Sequence, residues 1–204
     1  MHISEGVLSA PVLAAGACLA VAGLAVSLKK LSWRHIMSVG VLSAAFFVAS
    51  LIHVPLGPGS VHLIMNGLLG AILGWSAFAA ITVALFLQAL LFQFGGLTVL
   101  GVNVCIMAWP AIVCGLAFRR FFIRPRSRSV AAFACGALSV LFSGLLCALA
   151  LALSGDAFLT VAWAIFLAHV PVMAVEGLLT ALVVGYLAKV MPELLAVERR
   201  CDGL

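Results

Sequence analysis

The sequence predicts an all-α polytopic membrane protein, a compact bundle of about seven transmembrane helices with its N-terminus outside and its C-terminus cytoplasmic. Three observations carry that prediction. The 204-residue chain is 66% hydrophobic and only 8% charged, against about 45–50% and about 25% for an average soluble domain. From His35 to Phe118 there is no Lys, Arg, Asp or Glu, a stretch too long for a single bilayer crossing of about 20 residues. The basic residues gather between or after apolar segments, as they do in cytoplasmic loops under the positive-inside rule.

Those basic clusters orient each span in turn. Val7 to Leu28 is the first crossing. Glu5 precedes it and Lys29 and Lys30 follow it, the reverse of the basic-first order of a secretory signal, so it reads as a retained span. Lys29, Lys30 and Arg34 place its far end in the cytoplasm. A second span, about 37–54, returns outward to the turn Pro55-Leu56-Gly57-Pro58-Gly59. Ser60 is the expected N-cap of a third span, about 61–75. A fourth, about 77–93, leads back out to Gly95-Gly96 and the Thr98 to Asn103 segment. The fifth, about 103–118, descends to a cytoplasmic loop at about 119–129 that carries Arg119, Arg120, Arg124, Arg126 and Arg128. The sixth, about 130–152, rises to Ser154-Gly155-Asp156. Lys189, Arg199 and Arg200 put the chain end inside, so the remainder crosses an odd number of times. A short outer helical piece, about 157–168, followed by a last span after Pro171 meets that condition.

Gly67, Gly70 and Gly74 recur at helical spacing, and the Gly70/Gly74 pair reads as a small-residue contact face on the third helix. Cys18, Cys105, Cys114, Cys135, Cys147 and Cys201 lack zinc-knuckle or redox spacing and read as small apolar residues within helices. No second domain is visible, so residues 1–204 read as one transmembrane domain. The net charge of +5 follows topology rather than forming a nucleic-acid face, so the expected partner surface is the lipid bilayer and not nucleic acid.

Topology brings three features to the outer face: the N-terminus with His2, the turn ending at His62, and the segment from Gly95 to Asn103. The Met1 α-amine, the His2 backbone nitrogen and His2 Nδ1 can close a five-membered and then a six-membered chelate ring on one ion. An imidazole from His62 completes four nitrogens, a set that suits Ni(II) or Cu(II), with Co(II) below them in intrinsic affinity. Other polar residues have two readings each. Asn66, one helical turn after His62, either orients that ring or bonds across helices. His169 and Glu176 share a helical face and either pair with each other or mark an ion path, pairing being favoured. His53 lies at the outer end of the second span, and His35 belongs with the inner basic cluster beside Arg34.

Several segments resemble the CbiM/NikM family. They are Met1-His2-Ile3-Ser4-Glu5-Gly6, the stretch from Gly57 to Leu63 with Asn66 to Gly70, Gln93 to Asn103, His169-Val170-Pro171, and Glu176 to Thr180. The resemblance implies the substrate-specific S component of an energy-coupling factor (ECF) cobalt or nickel importer, in a prokaryotic cell membrane. It implies partners, namely a transmembrane coupling subunit and cytoplasmic ATPase subunits, and it allows a small accessory membrane subunit. It also implies that Met1, His2 and His62 bind the transported ion, with Glu5, Asn66 and Asn103 in support. Ser4-Glu5 stands where many nickel-type members have Pro-Asp, which leans the expectation toward cobalt.

Two other functions compete with this one. An intramembrane metalloenzyme would use His169 and Glu176, but no convincing nucleophile or third ligand accompanies them. An S component for an organic vitamin would need a larger pocket of aromatic and polar groups than the outer segments offer. The expectation is therefore a transport subunit, not an enzyme, with no catalytic cofactor. Its ATP hydrolysis would come from partners, since the chain has no phosphate-cradling loop followed by Lys-Ser or Lys-Thr.

Overall fold

A bilayer offers no partner for backbone N–H and C=O groups, so a chain this apolar satisfies them within helices. Helices dominate the computed structural model, which describes residues 2–56, 59–121, 127–155 and 159–195. They are α1 (Ala10–Lys30), α2 (Ile36–Leu51), α3 (Asn66–Leu73), α4 (Ala77–Phe92), α5 (Leu100–Phe121), α6 (Arg128–Ala152), α7 (Leu159–Ala168) and α8 (Val170–Val190). Five apolar stretches, 10–30, 66–92, 100–120, 128–152 and 166–190, have the length and composition to cross a bilayer, and α2 is a shorter apolar helix. The protein is a multi-pass membrane protein.

One departure from the helical class lies between α2 and α3. There β1 (His53–Leu56) pairs antiparallel with β2 (Gly59–His62), His53 opposite His62 and Pro55 opposite Ser60. Ser60 is therefore a strand residue and not an N-cap; α3 starts only at Asn66, after a left-handed Met65. The physical reason is local. β-branched Val54 and Val61 favour extended backbone, and Pro55 is tolerated where a two-stranded ribbon leaves an edge open.

The apolar stretch 66–92 is not one straight crossing. In α3, Asn66 bonds to Met107, the backbone at Gly70 meets Ala111, and Gly74 meets Arg119, so α3 and α5 run in the same direction. α4 runs back: Phe78 packs on Trp109, and Gln88 reaches the N-terminal His2. Gly74 makes the reversal at φ 56°, a conformation that glycine adopts without penalty.

Every residue of α3 is buried. At Gly70 a Cβ would fall 1.9 Å from the Ala111 carbonyl oxygen, so the close approach expected of this helix is made to α5. Gly67 instead meets Gly136 of α6, whereas Gly70 and Gly74 both lie against α5, Gly74 beside the Arg119 side chain while it also makes the turn. Arg119 donates from Nε to the Ala71 carbonyl at 3.3 Å and from its guanidinium to that of Ile72. A cation thus meets the carbonyl end of α3, as the helix dipole favours.

The last part of the chain follows the expected pattern, a short α7 and then α8 with Pro171 in its first turn. Cys105, Cys114, Cys135 and Cys147 are buried, while Cys18 is exposed. The expectations placed on Gly57, Pro58, Arg124, Arg126, Asp156, Arg199, Arg200 and Cys201 lie outside the described residues.

Candidate metal site

The end of the bundle that carries the hairpin also receives the N-terminal strip. Asn103, near the start of α5, clamps Ile3 at both main-chain groups: Ile3 N donates to Oδ1 at 3.0 Å, and Nδ2 donates to the Ile3 carbonyl at 3.1 Å. Gly95 and Gly96, at φ 78° and 115°, leave room for the strip. A Cβ on Gly95 would stand 2.6 Å from Asn103 Nδ2, and one on Gly96 would stand 2.2 Å from Glu5 Cγ. Glu5 Oε1 accepts from the Thr98 amide and hydroxyl, both at 3.0 Å. The Thr98 backbone and side-chain donors hold the Glu5 carboxyl below its usual range. Farther on, the Ser9 amide donates to Ser154 Oγ at 3.1 Å.

The strip delivers His2 against His62, with ring centroids 4.7 Å apart and His2 Nδ1 facing His62 Nε2 at 3.0 Å. The outer nitrogen of each ring is already engaged. His62 Nδ1 lies 2.8 Å from the Leu63 carbonyl, an acceptor only, so Nδ1 carries the proton. For His2 a relay decides the tautomer. Ser50 Oγ donates to the Phe47 carbonyl at 2.7 Å, so it accepts from Gln88 Nε2, 2.6 Å away. That turns Gln88 Oε1 toward His2 Nε2 at 2.8 Å, where the ring must donate.

Both facing nitrogens therefore present lone pairs to one point, an arrangement that suits a shared cation or proton. His62 is 3% exposed, and burial, with the neighbouring His2 ring, holds its imidazole well below its usual value. Two nitrogens bonded at right angles to one ion, at the roughly 2.0–2.1 Å of a zinc–imidazole bond, stand about 2.9 Å apart. Among the described residues no group of three or more His, Cys, Asp or Glu side chains converges, so further donors are to be sought on the main chain. Met1 lies outside the described residues.

The remaining candidates fall elsewhere. Asn66 does not orient His62, because the two belong to different elements; its Nδ2 donates to the Met107 carbonyl at 3.2 Å and to Ser143 Oγ at 2.9 Å. Glu176 does not pair with His169. Its carboxylate accepts from the Ile64 amide and from the Met65 amide, the latter at 2.9 and 3.0 Å. His169 is buried at the start of α8. His53 stands opposite His62 in the hairpin register, and His35 is exposed, its Nδ1 2.8 Å from Ser32 Oγ. Sequence reasoning missed Gln88 and Ser50. A glutamine inside an apolar span is costly without a polar partner, and that signal was present.

A family described as CbiM, cobalt uptake substrate-specific transmembrane region, matches residues 2–194. The chain belongs to the CbiM family. Among its relatives is a Haemophilus influenzae protein named as a candidate metal transport protein, 42% identical over 96% of this chain and 97% of that one. The Sorangium cellulosum protein named cobalt transport protein CbiM is 32% identical over 96% and 94% of the two chains. A crystal structure titled as a transition metal transporter superposes with a TM-score of 0.83 at 32% identity, covering 93% of each chain. The CbiM relationship thus extends through the hairpin, the N-terminal strip and α8.

Proposed function

We propose that this protein captures Co(II) or Ni(II) as the S component of an ECF-type importer, holding the ion on four nitrogens. These are the Met1 amine, the His2 backbone nitrogen, His2 Nδ1 and His62 Nε2. The observation that carries the reading is the 3.0 Å separation of two imidazole nitrogens whose ring protons are both committed elsewhere. It matches the edge of a tetragonal site, the geometry that nitrogen ligands give to such ions. Asn103 and Glu5 support the site by holding the strip on which Met1 and His2 enter.

The protein is a single transmembrane domain of seven crossings, with the N-terminus and the hairpin outside and Arg119 inside. Energy comes from a coupling membrane subunit and cytoplasmic ATPase subunits, and the chain itself transports without catalysing a reaction. Ser4-Glu5 leans the choice of ion toward cobalt. One added residue before Met1 moves the terminal amine away from His2 and breaks the fused chelate. Titration calorimetry with cobalt chloride should then show high-affinity binding lost from a folded protein; wild-type affinity in the extended protein would sink the reading.

A further inference from the structure

We propose that Glu176 is a positioning residue for the ion, acting on His62 through a single peptide plane; this rests on His62 being an ion ligand. The peptide unit between Leu63 and Ile64 is used on both sides. Its N–H donates to the Glu176 carboxylate, and its carbonyl accepts from His62 Nδ1 at 2.8 Å. The described chain holds no cis peptide, and a trans peptide is planar, with N–H and C=O pointing in opposite directions. Fixing one group therefore fixes the other. A carboxylate in α8 thus sets the direction of His62 Nε2 without touching the ring.

The coupling is electronic as well as geometric. A carboxylate polarises the peptide it accepts from, which strengthens the carbonyl as an acceptor. That in turn makes the opposite ring nitrogen a better donor to an ion, the effect carboxylates exert directly on metal-bound imidazoles. Met65 supplies the second half of the grip. It is a non-glycine residue at φ 53°, in the left-handed region that such residues seldom adopt, and its amide bonds both carboxylate oxygens. Glu176 is fully buried, and a carboxylate inside a span is costly enough to demand a use. A capping role for α3 alone would also employ these amides, but it would leave the ion's ligand field unmoved.

The test uses full-length protein with its native N-terminus, in detergent, titrated with cobalt chloride and read by calorimetry and by the visible spectrum of bound Co(II). Glu176→Gln keeps the volume and one acceptor oxygen. Its affinity should fall about tenfold to a hundredfold, and its spectrum should move toward that of His62→Ala. Thr180→Val, one turn along α8 at a hydroxyl with no hydrogen-bond partner among the described residues, should leave both unchanged. If Glu176→Gln binds with wild-type affinity and spectrum while His62→Ala loses affinity, the positioning role is wrong and the four-nitrogen site survives. If His62→Ala binds like wild type, both fall. Should Glu176→Gln not fold, Glu176→Asp, which withdraws the charge by one methylene, is read by the same outcomes.

Discussion

The two imidazoles that meet at the hairpin end of the bundle are held in opposite ways. His2 enters on a chain end, pinned by several separate contacts: the Asn103 clamp on Ile3, the exposed Glu5–Thr98 bonds, the side-chain-free space at Gly95 and Gly96, and the Gln88–Ser50 relay. His62 enters on a turn whose grip is a buried charge borrowed from α8. The first arm depends on room and on hydrogen bonds that are neutral or, at Glu5, exposed, each of modest net strength. The second depends on a charge that cannot be left unpaired in the bilayer. The strip is therefore the arm that can be loosened without unfolding the bundle, whereas the turn is tied to helix packing.

Replacing the proposed ligands themselves should show the largest contrast. His2→Ala removes a ring nitrogen and a chelate ring together and should abolish high-affinity cobalt binding. His62→Ala removes one nitrogen and should cost on the order of a hundredfold, the upper end of losses seen when a site's support is cut. Equal losses in calorimetry would mean that the chelate adds nothing. Gly96→Ala comes next. Its Cβ collides with Glu5 and strains a residue at φ 115°, a cost of about 1–3 kcal/mol. Because the cost falls on the strip, affinity should drop by about tenfold or more while the unfolding temperature without metal barely moves. A large fall in that temperature would show the strip to be part of the core.

Gln88→Leu should act more gently, by about tenfold, because the His2 ring loses its tautomer-setting acceptor but keeps its place against Phe94. An unchanged affinity would mean that the ion alone selects the tautomer. Acidity should separate the arms by the smallest margin. A terminal amine ordinarily titrates at about 7.7–8.0 and must lose its proton to bind. The His2 amide must give up its proton as well before its nitrogen can bind, so affinity should fall about a hundredfold per pH unit below that range. His62 adds no third proton there, since burial and the His2 ring hold its imidazole well below its usual value. A slope of three protons near pH 7 would contradict that state of His62.

Much of the proposed site could be framed from the sequence because its chemistry is local. Met1 and His2 are adjacent, so their chelate geometry follows from bond lengths alone, and the basic clusters were enough to bring His62 to the same expected side. Gln88, Ser50 and the amide partners of Glu176 were not legible, because each bonds to a partner far along the chain. Glu176 reads as a neighbour of His169 in helical register, yet its carboxylate goes to backbone amides of another element. Asn66 misled for the same reason: helical spacing from His62 has no meaning once residues 59–62 are a strand.

By itself the sequence determined that the chain lives in a bilayer and that its backbone is mainly helical, because solvent and periodicity are written in neighbouring residues. Tertiary structure alone decided where α3 turns back at Gly74, which carboxylate grips the His62 turn, and which nitrogen of each imidazole is left to face the other. Those outcomes depend on hydrogen bonds between elements distant in sequence, and such bonds form only where packing brings donor and acceptor within about 3 Å.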